Sequence, residues 1–346
     1  MSSHRAVETG LMRHWMRRSW LACLLWPVSI LFGAVAAFRR RLYRSGMLKS
    51  GRLPVPVIVV GNIFIGGTGK TPLTLWLVAV LREAGYTPGV ISRGYGTKAL
   101  APRAVTVASL PAEVGDEPLL IAQRSHAPMM VGRNRLAAGK ALLAAYPQVD
   151  IIVSDDGLQH YALQRDIELV LFDARGGGNG WLLPAGPLRE PMTRQRDFTV
   201  INGGGNTDTK GQGVAGFAMQ LEGIFAEQLA DRSQKIALNS WAEPSAAKRI
   251  VAAAGIGNPG RFFNTLRAAG LRFDALPLPD HYDFSNNPFA GIAADTILIT
   301  EKDAVKCIQF DHFKNDPRLW VVPVTACIDG PLAQQILEKC RGCSIA

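Results

Sequence analysis

Short apolar runs separated by helical patterns fill the middle of the chain. The runs are rich in β-branched residues and lie at 55–61, 88–92, 128–132, 150–156, 167–173 and 198–202. Apolar residues at helical spacing occur between some of them, in TPLTLWLVAVLREAG and NRLAAGKALLAAY. Runs without polar alternation are typical of strands that are covered on both faces. The pattern therefore predicts an α/β fold, with a mostly parallel sheet and helices on both of its faces.

A second, smaller α/β domain is predicted after a glycine-rich polar break, GGGNTDTKGQG at 203–213. The segment RIVAAAGIGNPGRFFNTLRAAG predicts a strand, a loop and a helix, and TILITEKDAVKC and LWVVPV follow it. We find no internal repeat. The predicted division is an N-terminal region at 1–52, a nucleotide-binding domain at 53–213 and a second domain at 214–346.

The hydropathy changes sharply near the N-terminus. Residues 19–38 form an apolar run, SWLACLLWPVSILFGAVAAF, in which Cys23 is the only ionisable side chain. A helix of about 20 residues is roughly 30 Å long, close to the thickness of a bilayer's hydrocarbon core. Ten lysines and arginines and one acid, Glu8, lie within residues 1–52, which therefore carry +9 of the net charge of +10.

Four interpretations of this run compete. A secretory signal peptide would end at a small-residue cleavage site, whereas here the run continues into FRRR at 38–41. A buried core helix is rarely flanked by arginines at both ends. A spanning helix and an interfacial anchor remain, and Pro27 favours a bent or shallowly inserted helix. We expect an anchor on an anionic cytoplasmic leaflet, with Trp15, Trp20 and Trp26 at the interface.

Composition narrows the remaining classes. Because the basic charge is confined to the N-terminal region, the rest of the chain is close to neutral, and no nucleic-acid partner is expected. A chain of 346 residues that is 48% hydrophobic can bury a substantial core, so disorder is not expected. Cys340 and Cys343 form a CxxC without a second pair or a nearby histidine, which predicts unpaired thiols in a reducing cytoplasm.

The clearest chemical signal is IVVGNIFIGGTGKTPLTLWLV at 58–78, which predicts a strand, a glycine-rich loop and a helix beginning at Thr71 and Pro72. A phosphate cradle needs free backbone N–H groups, a helix N-terminus behind them and a lysine. In the strict G-x-x-x-x-G-K-[ST] pattern the first glycine would fall at Phe64, and GGTGKT resembles a variant with adjacent glycines. We predict a nucleotide site formed by Gly66, Gly67, Thr68, Gly69, Lys70 and Thr71.

A pair of acids supplies the second signal. Asp155 and Asp156 follow an apolar run in IIVSDDGLQH, at the carboxyl edge of the predicted sheet, where ligands bind in such folds. A P-loop site needs an acid at this position to hold Mg²⁺ or its water, together with the hydroxyl of Thr71. Adjacent strand residues point to opposite faces, so one of the two carboxylates is expected to face the metal, and the sequence leaves open which.

Together with further motifs, these segments resemble the tetraacyldisaccharide 4'-kinase family of the lipid A pathway. The resemblance covers about residues 53 to 325 and rests on the order of VGNIFIGGTGKTP, ISRGYG, VGDEP, GRNRLAAG, SDDGLQH, LLPAGPLREP, DHYDF and ITEKDAVK. It implies transfer of the γ-phosphate of ATP to the 4'-hydroxyl of a tetraacylated glucosamine disaccharide 1-phosphate, at the cytoplasmic face of the bacterial inner membrane. The implied cofactors are ATP and Mg²⁺, the implied partner is the lipid-linked disaccharide, and no protein partner is implied.

The resemblance also implies roles for residues outside the loop. Lys70 is expected to neutralise the β- and γ-phosphate oxygens. Asp116 in GDEP resembles the base that takes the acceptor proton, and His281 in PDHYDF resembles the partner that orients it across the domain cleft. As an alternative, Asp116 and Glu117 could stabilise a helix N-terminus, because acids suit a first turn.

Several loop residues are further candidates for the site. Four arginines lie after predicted strands or beside glycines, where bidentate binding of phosphate oxygens is possible: Arg93, Arg133, Arg135 and Arg189. Solvated surface charge is the alternative reading for each of them. Weaker candidates are Glu117, Gln159, His160 and Glu190.

Two other functions are compatible with the residues. A membrane-associated NTPase switch would share the variant loop and the basic anchor, but such switches often carry a second lysine where this chain has Ile65. A nucleotide-binding module without chemistry would leave the separate acids and His281 unexplained. ATP turnover with and without a lipid disaccharide acceptor distinguishes the three.

Overall fold

Alternating helices and strands make up most of the fold. The computed structural model describes residues 13–94, 101–203, 216–242, 249–328 and 330–343. The predicted break at 203–213 therefore lies, apart from Gly203, outside the described residues. The helices are α1 Trp20–Arg44, α2 Lys70–Glu83, α3 Pro111–Val114, α4 Asp116–Ser125, α5 Arg135–Ala145, α6 Pro259–Ala268, α7 Glu301–Cys307, α8 Asp311–Lys314 and α9 Leu332–Arg341, with a 3₁₀ turn at Leu238–Trp241.

The strands fall close to the predicted apolar runs. In chain order they are β1 Val57–Gly61, β2 Pro88–Ser92, β3 Arg103–Ala104, β4 Met129–Val131, β5 Ile151–Asp155, β6 Ile167–Asp173, β7 Phe198–Asn202, β8 Phe217–Glu222, β9 Phe225–Gln228, β10 Lys235–Ala237, β11 Ile250–Ala254, β12 Asp274–Pro277, β13 Thr296–Thr300, β14 Leu319–Val322 and β15 Thr325–Ile328.

The larger sheet confirms the predicted fold class. Its strand order is β15-β8-β7-β6-β1-β5-β2-β4-β3, and only the outermost pairings, β15 with β8 and β3 with β4, are antiparallel. Ile58 and Val60 of β1 pack into one core with α2, whereas Val57 and Val59 pack into another with α5. Because both faces are covered, the strand carries apolar residues without alternation.

The smaller sheet has the order β10-β9-β14-β13-β11-β12, with parallel pairing among β11 to β14. The chain leaves the larger sheet after β8 and returns to it with β15, after which α9 packs Leu332 and Ile336 into the core of the larger sheet. The larger sheet thus includes β8, β15 and the packing of α9, and the smaller sheet is built from strands between residues 225 and 322.

Helix α1 lies along the body of the protein. Ala22 and Ser29 of α1 are buried against the body. The Ser29 hydroxyl donates to the Leu182 carbonyl at 2.6 Å. Near the end of the helix, the Tyr43 ring lies 6.1 Å from the ring of Tyr161. The side of α1 that faces away from the body is apolar and exposed; Leu31, for example, is 65% exposed. By length and composition α1 is the one helix in the described residues that could cross a membrane.

Candidate active site

The glycine-rich loop has the shape of a phosphate cradle. Gly66 and Gly69 have φ of 101° and 105°, which side chains other than glycine adopt rarely. A Cβ on Gly69 would also lie 2.5 Å from Nδ2, the side-chain nitrogen of Asn202. Asn62, which precedes the loop, donates to the Gly66 carbonyl at 3.2 Å and to the Thr68 hydroxyl at 2.9 Å. Helix α2 begins at Lys70, one residue before the predicted start.

A buried ion network that the sequence reasoning missed supports the loop from the side of β6. Asp173, 1% exposed at the end of that strand, pairs with Arg175 at 2.6 Å and with Arg261 of α6 at 2.7 Å. The two arginines also donate to the carbonyls of Gly67 and Thr68, each at 3.2 Å. Asp173 ends an apolar run, as Asp155 does. This position was the sequence signal that could have identified Asp173 as a candidate site residue.

The two predicted metal acids differ in their surroundings. Asp155 is buried, and its oxygens accept hydrogen bonds from Thr74 at 3.2 Å and Ser92 at 3.3 Å. Burial, with the nearby charges of Glu117 and Asp156, raises the pKa of Asp155 to about 7. Asp156 has a left-handed backbone, with φ of 48°. One of its oxygens, Oδ1, lies 3.5 Å from Lys70 Nζ.

The Asp156 Oδ1 atom is buried and accepts no hydrogen bond from the described part of the chain. Its neighbours are two cations, Lys70 at 3.5 Å and Arg189 at 3.9 Å. A buried carboxylate oxygen in this state is a ready ligand for a cation or a polar group of a bound substrate.

Asp116 and His281 meet across the cleft between the two sheets. Asp116 is the first residue of α4, and its Oδ2 lies 3.3 Å from His281 Nδ1. Lys306 and Lys302 of α7 approach the same oxygen at 3.6 and 3.8 Å. Both interpretations of Asp116 therefore describe its position: it occupies a helical first turn, and it faces the predicted partner.

The charges around Asp116 determine its ionisation. Burial raises the pKa of the carboxyl, but the hydrogen bond with His281 and the charges of Lys302 and Lys306 outweigh burial, so the pKa lies well below its ordinary range. The hydrogen bond with Asp116 in turn raises the pKa of His281, against the effects of its partial burial and of Lys302. At neutral pH Asp116 is a carboxylate.

The lysines of α7 were not assigned a role from the sequence, although ITEKDAVK contains both. The Thr300 hydroxyl accepts the backbone N–H of Asp303 and so caps the helix at 3.2 Å. This fixes Lys302, whose Nζ lies 3.0 Å from Glu117 Oε1 as well as close to Asp116. Lysines become recognisable as part of a site only when the fold places them beside an acid from a distant segment.

A cavity of about 210 Å³ lies between the loop and the second sheet. The larger sheet contributes the loop residues 67–72 and Glu117, and the second sheet contributes Arg261 and Lys302. Most of its remaining wall is apolar: Leu75, Leu120, Leu221, Ile256, Phe262, Val322 and Val324. Apolar walls that converge on a few charged groups are typical of small-molecule sites.

The profile of the family described as tetraacyldisaccharide-1-P 4'-kinase matches residues 21–341. The chain belongs to this family. It is 63% identical over 342 residues to a tetraacyldisaccharide 4'-kinase of Janthinobacterium sp. (strain Marseille), with 98% of each chain covered. A kinase of the same name from Herminiimonas arsenicoxydans is 60% identical over 349 residues, again with 98% coverage of both.

A solved structure agrees with the family assignment. The crystal structure of Aquifex aeolicus LpxK in complex with ATP matches with a TM-score of 0.76 at 28% identity, over 92% of this chain and 99% of the other. The prediction of the kinase family from the motif order is thereby confirmed.

The loop arginines of this 4'-kinase family member occupy different settings. Arg135 is buried and donates to the carbonyls of Gly132, Asp155 and Asp156, at 3.1 to 3.5 Å. Its guanidinium thus holds the backbone after β5. Arg189 lies beside the segment between β1 and the glycine-rich loop, where its backbone N–H donates to the Ile63 carbonyl. Arg93 and Arg133 are exposed.

The weaker candidates form a supporting network. Gln159 donates to the Asn62 carbonyl at 3.3 Å and to Glu190 at 3.0 Å. His160 accepts the backbone N–H of Arg135 through Nε2. Burial, with the charges of Arg135 and Arg165, lowers the pKa of His160 to about 4 and keeps the ring neutral. These contacts brace the segment that carries Asp155 and Asp156.

Proposed function

We propose that this protein transfers the γ-phosphate of ATP to the 4'-hydroxyl of a tetraacylated disaccharide 1-phosphate in lipid A biosynthesis. The observation that carries the proposal is the Asp116–His281 pair, which Lys302 joins to the cavity that Lys70 also lines. Membership of the 4'-kinase family supports the acceptor, and the Aquifex structure, solved with ATP, supports the donor.

In the proposed mechanism the acceptor hydroxyl lies against the Asp116 carboxylate and attacks the γ-phosphorus, the bond from that phosphorus to the β,γ-bridging oxygen breaks, and ADP leaves. The proton of the hydroxyl passes to the Asp116 carboxylate. A carboxylate with so low a pKa is a weak base. In the loose transition state of phosphoryl transfer the nucleophile keeps most of its proton until late, so a weak base suffices. His281 orients the carboxylate, and Lys70 stabilises the charge on the γ-oxygens.

The residues beside the loop fit a magnesium ion. Mg²⁺ prefers hard oxygen ligands and takes several of them from substrate phosphates and water, so one or two carboxylates suffice. Thr71 lines the cavity. Burial, followed by repulsion from Glu117 and Asp156, raises the Asp155 pKa, and a cation would relieve the repulsion. We assign Mg²⁺ to Thr71 with Asp156 or Asp155, where the ion would supply charge neutralisation of the phosphates.

Asparagine substitutions separate these two acids. Asp156→Asn removes the carboxylate that carries the unbonded Oδ1, so we expect the Mg²⁺ concentration for half-maximal activity to rise at least about tenfold. Asp150→Asn, at an exposed acid before β5, is the control and should match wild type. If Asp155→Asn alone shifts the Mg²⁺ requirement, Asp155 is the direct ligand.

The direct test uses γ-labelled ATP with the tetraacyl disaccharide 1-phosphate in detergent micelles. Label in the lipid that depends on both acceptor and enzyme is the expected result. ATP hydrolysis at the same rate with and without acceptor, and no labelled lipid, would overturn the proposal in favour of an NTPase.

We place α1 in the plane of the membrane interface, on the cytoplasmic face where ATP is present. The helix contacts the body at its start, middle and end, including an ion pair of Arg40 with Glu190 at 3.5 Å. A spanning orientation would carry these polar contacts of the body into hydrocarbon. With the helix in the interface, the exposed apolar side inserts and the body stays in water.

Acidic residues on the exposed side of α1 test this orientation. Leu24 is 67% and Leu31 65% exposed, and each leucine buried in the membrane contributes about 2 kcal/mol. We expect Leu24→Glu with Leu31→Glu to lower vesicle binding about 100-fold or more in flotation assays, while ATP binding stays normal. Val107→Glu with Leu110→Glu, on the body, is the matched control. Equal flotation of both double variants would contradict the orientation.

The Asp116–His281 pair predicts a pH-dependent contribution to stability. The His281 pKa is raised above its ordinary 6.5, so the pair's contribution is fully present below about 6.5 and is lost as the pH rises through the folded-state value. The Asp116 pKa is lowered, so its contribution is present above about 4 and is lost toward strong acid. We expect His281→Gln to lower Tm more at about pH 5.5 than at about pH 9.

The control for this pH dependence is His281→Gln in an Asp116→Asn background. Without the carboxylate the pair no longer raises the pKa of His281, so the excess of the Tm difference at about pH 5.5 over that at about pH 9 should disappear. An unchanged pH dependence in the double variant would show that another group is responsible.

A further inference from the structure

A second cavity, of about 400 Å³, lies at the C-terminal end of α1, outside the cleft described above. Arg40 and Arg44 of α1 line one side, and Arg165 and Arg194 line the other. Arg52, Tyr161 and Glu168 also line the cavity. Five arginines therefore surround one cavity, and we call it the arginine pocket.

Three of the arginines are held by carboxylates. Arg194 is nearly buried and donates to both oxygens of Glu168 at 2.7 Å and to Glu190 at 2.7 Å. Arg165 donates to Glu168 at 2.9 Å, and Arg52 pairs with Asp166. These pairs fix the guanidinium groups rigidly. They also neutralise the carboxylates beside the pocket, Glu168, Glu190 and Asp166.

The two arginines of α1 are left with little compensation. Arg40 has one carboxylate contact, Nη1 to Glu190 Oε2 at 3.5 Å, and Glu190 already accepts from Arg194 and Tyr161. Within the described residues, Arg44 makes no ion pair or side-chain hydrogen bond. Positive groups that converge on a cavity without an equal number of acids favour binding of an anion. The geometry of the guanidinium group suits two hydrogen bonds to one phosphate in particular.

We propose that the arginine pocket binds a phosphate group carried by a membrane lipid. The helix that supplies Arg40 and Arg44 exposes Val35 and Phe38 just before them, at 60% and 64%. A helix whose apolar side enters the bilayer holds its flanking arginines at the depth of the lipid phosphates. The pocket is thus built at the level where lipid phosphates lie.

The pocket is also connected to the catalytic cleft. Glu190, which pairs with Arg194 and Arg40 of the pocket, follows Arg189, whose side chain lies 3.9 Å from Asp156. Gln159 bridges Glu190 to the Asn62 carbonyl at the start of the P-loop. A lipid phosphate in the pocket therefore belongs either to the acceptor, whose 1-phosphate would anchor it while its other sugar reaches the cleft, or to a neighbouring phospholipid. The first source rests on the proposed function.

The test compares Arg40→Gln and Arg44→Gln with Arg41→Gln. Arg41 lies in the same turn of α1, is exposed and does not line the pocket, so its variant loses the same charge. The acceptor KM is measured for the 1-phosphate and for the same disaccharide without it. Binding is measured on vesicles of phosphatidylcholine alone and with a minor fraction of phosphatidylglycerol. Thermal melting verifies that each variant is folded.

A charge-assisted hydrogen bond to phosphate corresponds to about tenfold or more in affinity. We expect Arg40→Gln and Arg44→Gln to raise the KM of the phosphorylated acceptor by about that factor, with the KM of ATP unchanged and Arg41→Gln at wild-type level. If the acceptor without the 1-phosphate shows no such change, the bound phosphate is the acceptor's own.

A second outcome is that Arg40→Gln and Arg44→Gln bind the phosphatidylglycerol vesicles more weakly than Arg41→Gln does, while the KM values of the two acceptors change equally. The bound phosphate is then that of a phospholipid. Behaviour identical to Arg41→Gln in every measurement overturns the arginine pocket. A wild-type enzyme that labels no acceptor refutes the proposed function instead, and the vesicle measurements then still test the pocket.

Discussion

Lys70→Ala is expected to lower phosphate transfer by at least about 10³-fold, because one preorganised donor aimed at developing charge is already worth 10² to 10³. Lys70 is fixed at the start of α2, with Nζ 3.5 Å from Asp156 and from Asn62. Both neighbours hold the amine at the loop, where the γ-oxygens gain charge in the transition state. The measurement is the rate of label transfer from γ-labelled ATP at saturating acceptor.

Lys140→Ala provides the control for Lys70→Ala. Lys140 is exposed on α5 and lies outside both cavities, so its loss removes the same charge from the protein without touching the loop. A Lys70→Ala protein that melts like wild type and turns over at the wild-type rate would show that GGTGKT is not the phosphate site.

Asp116→Asn is expected to lower kcat by about 10² to 10⁴, the range typical of a lost general base, with the KM of ATP changed little. The carboxylate contacts His281, Lys302 and Lys306 and no residue of the glycine-rich loop. Its substitution therefore removes the proton acceptor and leaves the nucleotide cradle intact. Steady-state kinetics with each substrate varied in turn separates the two effects.

Glu113→Gln is the matched control for Asp116→Asn, because Glu113 is an exposed acid three residues earlier that pairs with Arg103. Its kcat should equal that of wild type. Loss of ATP binding in Asp116→Asn, with the chemical step unaffected, would place this carboxylate in the nucleotide site and contradict the assignment as base.

Local patterns in the sequence determined much of the fold and half of the site. Unbroken apolar runs predict strands covered on both faces, and the register of β1 with β5, in which Val60 pairs with Asp155, brings the P-loop and the acids to one edge. The glycines of the loop are equally local, because their backbone angles are set within the loop. The placement of the glycine-rich loop, of Lys70 and of the neighbouring acids at one edge of the sheet was therefore predictable without a structure.

Only the tertiary structure decided which distant groups meet. Asp173 ends a strand of the larger sheet, whereas Arg261 lies on helix α6, which packs on the smaller sheet. Neither residue type at either position predicts that the two side chains meet. The return of β15 to the larger sheet, and the course of α1 along the body, depend equally on packing between remote segments. The hydrophobic periodicity of a segment predicts which of its faces is buried. Which other element packs against that face depends on the packing of the whole chain. For this reason the sequence determined the phosphate loop, and the tertiary structure decided which arginines and lysines surround it.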